Sequence, residues 1–352
     1  MNFIWFVVFF SLLILIIIII KIFFINGSKT SLYRNLLGKI VIITGASSGL
    51  GETTAFDLLN NGATVIFACR NQSKVEKLFN SVNDEEKRKR CIYIPLDLSL
   101  FSSVIDFVYK FEIEFPSQKI DILINNAGII SDKFTLTQNN IESTLQVNLL
   151  SHILLTSMLQ RKFDSDSRII NITSKDHYNV TNIDFDLLEN DLNFTEFKRV
   201  YSTKQAYDLT KLGMIYFTGH LSTYLSRNET NTRSVCVNPS FSLTNLYNYE
   251  KKQSFNCLFY YMLYPIYWYF SKSPFYAAQT ILHLCYMEQS CLLRGCYYEN
   301  LKIGRVSLLA NNIRNEKRFM AYCIYLINSE TEERNKGNYI NNFDSLIEEE
   351  NY

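Results

Sequence analysis

Residues 39–60, KIVIITGASSGLGETTAFDLLN, decide the fold. Ile40 to Thr44 are apolar or β-branched and read as a buried strand, a turn with Gly45, Gly49 and Gly51 follows, and ETTAFDLLN continues as a helix. Glycine is scarce, 12 in 352 residues, where average usage is roughly 7%, so three within seven positions mark a turn with a task. Between a strand and a helix, glycines let the main chain approach a pyrophosphate, whose charge rests on the first amides of the helix. A plain tight turn is the bland alternative. Thr44, Gly45, Ser47, Ser48, Gly49, Leu50 and Gly51 are therefore candidate cofactor-binding residues. Outward from this stretch the pattern repeats. ATVIFACR (63–70), CIYIPLDLS (91–99), DILINNAG (121–128), SRIINITS (167–174) and SVCVNPS (234–240) are short apolar runs separated by helix-length segments. Such alternation predicts an α/β fold, a mostly parallel sheet covered by helices on both faces.

Composition narrows the function. With 47% hydrophobic and 20% charged residues the chain can build a core. A net charge of +1 removes the electrostatic case for nucleic-acid binding, so no nucleic-acid partner is expected. The eight cysteines form no CxxC pair and no His/Cys ligand spacing, which predicts free thiols and no metal site. The four histidines have no clustered carboxylates or cysteines and read as structural or surface residues. The charge run DEEKRKR (84–90) reads as a solvated helix end.

Two aromatic-rich stretches stand apart. Residues 1–25 carry seven aromatics and residues 255–276 eleven, out of 51. In the first, residues 3–20, FIWFVVFFSLLILIIIII, hold one non-apolar residue, Ser11, and predict an uncleaved transmembrane helix of roughly 27 Å in contact with membrane lipid. A cleaved signal peptide is the rival, but it expects a basic start and a shorter apolar run. Lys21, Lys29, Arg34 and Lys39 follow the span, which directs the domain that follows to the cytosolic face. The second stretch, interrupted by Pro265, is too short to span, and ordinary core packing is one reading of it.

The second strand ends in Cys69-Arg70-Asn71, where an NAD-binding domain often has an acid for the ribose hydroxyl. Arg70, with Lys74 one turn on, can instead neutralise a 2′-phosphate, so NADP(H) is the expected cofactor. TGxxxGxG at 44–51, Asn125-Asn126-Ala127-Gly128, and Tyr207-Asp-Leu-Thr-Lys211 together resemble the short-chain dehydrogenase/reductase family over residues 38–325. ACRN (68–71), VNLLSHILLT (147–156), NIDFDLL (182–188), SPFYAAQTILHL (273–284) and GCYY (295–298) are similar to its membrane-anchored retinol dehydrogenase branch. The resemblance implies a Rossmann-type doubly wound parallel sheet in a single domain preceded by the N-terminal transmembrane helix, and an aromatic substrate lid in the second aromatic stretch. It implies hydride exchange with a lipophilic alcohol and its aldehyde or ketone, retinol and retinal foremost, in the endoplasmic reticulum membrane, and it leaves a homodimer open.

Reducing a carbonyl requires a proton donor at the developing alkoxide, and a phenol of unperturbed pKa ~10 needs help to serve. Tyr207 and Lys211, at i and i+4, share a helix face, so the ammonium can favour the phenolate. The resemblance assigns four catalytic residues: Tyr207 and Lys211, Ser174 for a hydrogen bond to the substrate carbonyl, and Asn148 for a water-mediated relay to the lysine. It further implies cofactor contacts from Asn71, Asp97 at adenine, Asn125, Ala127 and Gly128 beside the ribose, and Pro239 and Thr244 over the nicotinamide. Tyr201 and Lys204 stand at i,i+3 and read as a chance pairing. Ser240 stands where the family has glycine, and the 33-residue interval from Ser174 to Tyr207 predicts an extra loop over the pocket.

The expected organisation is an anchor over 1–26, a juxtamembrane linker over 27–37, a catalytic domain over 38–328 with its lid at 245–276, and a polar tail over 329–352. A non-catalytic cofactor-binding scaffold and a lumenal NAD-dependent dehydrogenase are the rival functions.

Overall fold

The computed structural model describes residues 2–21, 27–191, 194–239, 269 and 271–331. One sheet carries eight strands: β1 (Ile40–Thr44), β2 (Thr64–Cys69), β3 (Cys91–Pro95), β4 (Ile122–Asn125), β5 (Arg168–Ile172), β6 (Arg233–Asn238), β7 (Tyr297–Glu299) and β8 (Lys302–Ile303), in the order β3-β2-β1-β4-β5-β6-β7-β8. All pairings are parallel except β7 with β8. The helices are α1 (Asn2–Ile20), α2 (Gly49–Asn60), α3 (Gln72–Asn80), α4 (Glu85–Lys89), α5 (Phe101–Glu114), α6 (Ser143–Leu145), α7 (Ser151–Met158), α8 (Phe185–Asn190), α9 (Thr195–Val200), α10 (Thr203–Arg227), α11 (Pro274–Tyr286) and α12 (Ile313–Thr331).

The pleat divides the core in two. Ile40 and Ile42 of β1 join Leu123, Ile169 and Cys236 in one apolar cluster with α5, α7, α10 and α12, while Val41 and Ile43 join Val65, Phe67, Ile124 and Val235 in another with α2 and α11. All five residues of β1 are buried, as a strand covered on both faces must be. β1 pairs with β2 on one side and β4 on the other, Val41 lying opposite Val65 and Ile122. The strand order reverses there, and a crevice opens beyond the strands' carboxyl ends.

The six sequence-marked strands are present, some shorter than expected. β3 stops at Pro95, and β4 at Asn125, where Asn126-Ala127-Gly128 leaves the sheet as a turn. β7 and β8 add two short strands. The charge run forms α4, capped by Asp84. Seven cysteines are free among the described residues, and no metal-holding group of His, Cys, Asp or Glu occurs among them.

Four expectations meet a different outcome or lie beyond reach. Among the described residues no helix is long and apolar enough to cross a membrane. The stretch over 3–20 does form a helix, α1, of 19 residues with exposed apolar side chains. Residues 27–37 are not a bare linker: the Thr30 amide donates to Gln279 Oε1 at 3.1 Å, the Leu36 amide donates to the Asn61 carbonyl at 2.7 Å, and Leu36 is buried. The 175–206 segment has no described residue that lines the cavity. Phe185, Leu188, Phe194 and Phe197 instead pull it into the core, and Arg318 of α12 pairs with Glu189 and Asp186 of α8. Ser240, Thr244, Cys257, most of the aromatic lid and the tail beyond Thr331 lie outside the described residues.

Candidate active site

The crevice at the β1/β4 switch point holds a cavity of about 750 Å³. The glycine turn forms its floor. Gly45 and Gly49 have φ of +68° and +59°, and a Cβ on Gly51 would sit 2.5 Å from the Gly45 carbonyl oxygen and 2.6 Å from Asn126 Nδ2. Only glycine fits that approach. Ser48, at the N-cap of α2, makes no side-chain capping bond, and the first turn of the helix opens on the cavity. A diphosphate suits this cradle, because uncapped amides and the helix dipole both favour an anion.

Arg70, Asn71 and Lys74 line one end of the cavity. Asn71 caps α3, its Oδ1 accepting from the Lys74 amide at 3.0 Å. Asp97 lines the neighbouring wall, its Oδ1 accepting from the Ser99 amide at 2.9 Å and the Ser99 hydroxyl at 2.7 Å. Ala127, Gly128 and Pro239 are also on the wall. Thr44 and Asn125 are not: both lie beneath it. Thr44 Oγ1 accepts from the amides of Asn126 and Ala127, each at 2.9 Å, and Asn125 Nδ2 donates to Thr156 Oγ1 and Asn171 Oδ1. They shape the floor from below, while Asn126, which sequence reasoning passed over as a site residue, lines the cavity and bonds the Thr44 carbonyl.

At the other end stand Tyr207, Lys211 and Ser174, all on the wall. Tyr207 and Lys211 share one face of α10, with Lys211 Nζ 5.3 Å from the Tyr207 ring centroid. Lys211 Nζ donates to the Ile172 carbonyl at 3.1 Å. Burial pushes the Lys211 ammonium down to about 8, with the Asp176 carboxylate pushing back. Lys204, dismissed from the sequence as a chance neighbour, puts its Nζ 5.2 Å from the same ring centroid.

Asn148 sits behind the wall inside a π-helical turn, Gln146–Leu150, between α6 and α7. Its amide group makes a pair of hydrogen bonds with the Ile129 main chain, Oδ1 accepting from the amide at 2.7 Å and Nδ2 donating to the carbonyl at 2.9 Å. His152 ties this turn to the glycine loop, with Nδ1 3.1 Å from the Asn148 carbonyl and Nε2 2.9 Å from Thr44 Oγ1. The carbonyl can only accept, so Nδ1 carries the proton and Nε2 accepts from the threonine. Burial pushes His152 down to about 4, which keeps it neutral.

A parallel sheet with its cavity at the switch point, a glycine-rich anion cradle at one end and a Tyr-Lys pair at the other define a dehydrogenase of the doubly wound α/β class. The comparisons agree. The family model for short chain dehydrogenase matches residues 39–181. Human retinol dehydrogenase 13 is 33% identical over 283 residues, 79% of this chain and 81% of the relative. Human retinol dehydrogenase 12 is 33% identical over 313 residues, 88% and 92% of the two chains. The chain belongs to the short-chain dehydrogenase/reductase family of oxidoreductases, in its retinol dehydrogenase branch. Among solved structures, an uncharacterized protein from Mycobacterium paratuberculosis superposes with a TM-score of 0.65 at 26% identity, covering 86% of this chain and 97% of the other. A short chain dehydrogenase from Burkholderia cenocepacia in complex with NADP, at 20% identity and a TM-score of 0.55 over 75% of this chain and 96% of the other, shares the fold.

Proposed function

We propose that this chain is an NADP(H)-dependent oxidoreductase that interconverts a lipophilic alcohol and its aldehyde or ketone, with a retinol/retinal-like pair foremost, and that α1 fastens it to a membrane. One observation carries the reading: Tyr207, Lys211 and Ser174 open into the same cavity as the Gly45–Gly51 cradle. In this reading the cradle holds the diphosphate, Arg70 and Lys74 hold the 2′-phosphate, and Asp97 meets the adenine. A bound nicotinamide supplies or accepts the hydride. Tyr207 gives its proton to the alkoxide that develops as a carbonyl is reduced, and takes one from the alcohol in the reverse direction. The Lys211 ammonium favours the phenolate left behind and reaches the nicotinamide ribose. Asn148, pinned by Ile129, keeps the relay behind Lys211 in place.

The names of the relatives support a retinoid, and the exposed apolar run of α1, followed by Lys21, Lys29, Arg34 and Lys39, supports membrane attachment with the domain on the cytosolic side. The test is turnover by the detergent-solubilised full chain on retinoid, steroid and fatty carbonyls, with NADPH and with NADH. NADPH-dependent reduction of a hydrophobic carbonyl is expected. Tyr207→Phe should lower it by about 10²–10⁴-fold with cofactor affinity kept. A chain that binds cofactor yet reduces none of these substrates would leave the scaffold reading standing, and preference for NADH would overturn the assignment of Arg70.

A further inference from the structure

Two polar clusters take no part in the chemistry proposed above. The ion-paired group of Asp176, Lys204 and Asp208 does not line the cavity. The hydroxyls of Ser131, Thr135 and Ser143 do, and they touch: Ser143 Oγ lies 2.8 Å from Ser131 Oγ and 2.9 Å from Thr135 Oγ1. The backbone holds them together. Leu136 and Glu142 form an antiparallel bridge, the Ser143 amide donates to the Thr135 carbonyl at 2.9 Å, and the Glu142 carboxylate caps α6 by accepting from the Thr144 and Leu145 amides at 2.9 and 2.7 Å. The trio stands at the catalytic end. The wall reaches it from Gly128, where an added Cβ would lie 3.8 Å from Lys211 Nζ, and α6 packs on α10, the helix of Tyr207 and Lys211. Three hydroxyls own three protons, and the two contacts among them use two. Among the described residues the next groups are Glu142 Oε1, 3.4 Å from Ser143 Oγ, and Thr144 Oγ1, 3.4 Å from Ser131 Oγ, both long for an O–H···O bond. The trio therefore keeps a proton and lone pairs for a partner in the cavity. Ile129, Ile130 and Val147 on the same wall suit a hydrocarbon skeleton. Hydroxyls pressed against hydrocarbon alone would lose water and gain nothing in return.

We propose that Ser131, Ser143 and Thr135 form a polar subsite for a second oxygen, hydroxyl or keto, on a lipophilic substrate whose first oxygen reacts at Tyr207. The proposal rests on the alcohol/carbonyl reading above and narrows it. The substrate is a lipophile with two oxygen functions set apart on its skeleton; for a retinoid, that means one oxygenated on its ring. A second hydroxyl accepts the trio's proton and gives its own to a lone pair of the trio, while a keto oxygen accepts the proton. Asp132 on the same wall disfavours a carboxylate in that place. A substrate without the second oxygen leaves the hydroxyls unpaired, and a site built to bond an O–H rejects the analogue that lacks it.

The test uses matched pairs with the full chain and NADPH: retinal against ring-hydroxylated retinal, and decanal against decanals that carry one hydroxyl in the far half of the chain. In at least one pair the oxygenated member should have the higher kcat/KM, by about tenfold. Ser131→Ala and Thr135→Val should each lower that ratio about tenfold, through a higher KM for the oxygenated member, while the plain member gains a methyl group to pack against. A wild-type ratio at or below one in every pair overturns the proposal. So does a ratio that the variants leave in place while both members slow together, which is what a merely structural role would give. Weaker NADPH binding with the ratio unmoved would assign the trio to the cofactor and overturn the subsite. Should Ser131→Ala fail to fold, Thr135→Val, which keeps the side-chain shape, decides by the same ratio. If NADPH binds and none of these carbonyls is reduced, the alcohol/carbonyl reading fails on its own. Equilibrium binding of decan-1-ol and of the matching diols to the NADPH complex then decides the subsite, and equal affinities overturn it. Binding of neither overturns both.

Discussion

Lys211 is a cation with little to hold it charged. Its Nζ donates to one carbonyl, that of Ile172, burial takes it down to about 8, and Asp176 is the carboxylate that pushes back. Because the proposed chemistry uses the ammonium, kcat/KM should fall on the alkaline side as pH rises through about 8, well before an exposed lysine would titrate. Stability moves in the opposite direction. A lysine whose folded-state value lies below its unfolded 10.5 costs the fold stability while charged, fully below about pH 8, and that cost is relieved between about 8 and 10.5. A pH–rate profile beside thermal melts across this window checks both limbs, and flat activity to pH 10 would remove Lys211 from the reaction. Lys211→Arg, charged throughout, should lose the alkaline limb. The Tyr207–Lys211 pair was legible in the sequence because i,i+4 spacing on a helix is local. The Asp176–Lys204–Asp208 cluster was not, because Asp176 lies 28 residues before Lys204 and reaches it only through the turn at Lys175–Asn179 packing on α10.

The elements that carry the site are fastened by polar groups buried beneath it, and Arg168 is the plainest case. It begins β5 and is 1% exposed, yet its Nη1 donates to the carbonyls of Leu284, Cys285 and Met287 at the end of α11, and its Nη2 to Gln289 Oε1. A guanidinium fits the unsatisfied carbonyls of a helix C-terminus and their partial negative charge. Arg168→Leu would fill most of the space and leave those carbonyls without a donor, at about 1–3 kcal/mol for each buried acceptor left unmade. We expect a melting temperature lower by several degrees, measurable by calorimetry, with the cofactor cradle at the opposite, carboxyl end of the strands unaltered. The sequence could mark β5 by its apolar run but not this use of its first residue. Asn125 teaches the same lesson. The motif read correctly as the end of a strand, but whether Asn125 or Asn126 faced the cavity depended on where β4 stops, and the side-chain bond to Asn171, its neighbour across the ladder, holds Asn125 under the floor. β7 and β8, three and two residues long, carry too short an alternation to be read at all.

At the scale of the whole molecule, the aromatic-rich N-terminus and the catalytic domain meet through a strap that composition alone described as a linker. Lys21 Nζ donates to the carbonyls of Tyr269 and Ser271, Thr30 bonds Gln279 and His283 on α11, and Leu36 is buried with its amide on the carbonyl of Asn61 beyond α2. Residues 27–37 are therefore tied to the domain at Thr30 and Leu36, while α1 exposes its apolar side chains, the surface that the proposed membrane attachment would use. Two truncations separate these roles. Removing residues 1–26 should release the chain from the membrane fraction to the supernatant on sedimentation, with NADPH affinity close to that of the full chain. Removing residues 1–37 should release it too, but should also withdraw Leu36 from the core. That loss alone is worth about 1.5–3 kcal/mol, besides the bonds to Gln279 and Asn61. The longer truncation should therefore unfold at a distinctly lower temperature than the shorter one. Sedimentation of the shorter truncation with membranes would shift the attachment from α1 to the domain surface, and equal melting temperatures would return residues 27–37 to the status of a linker.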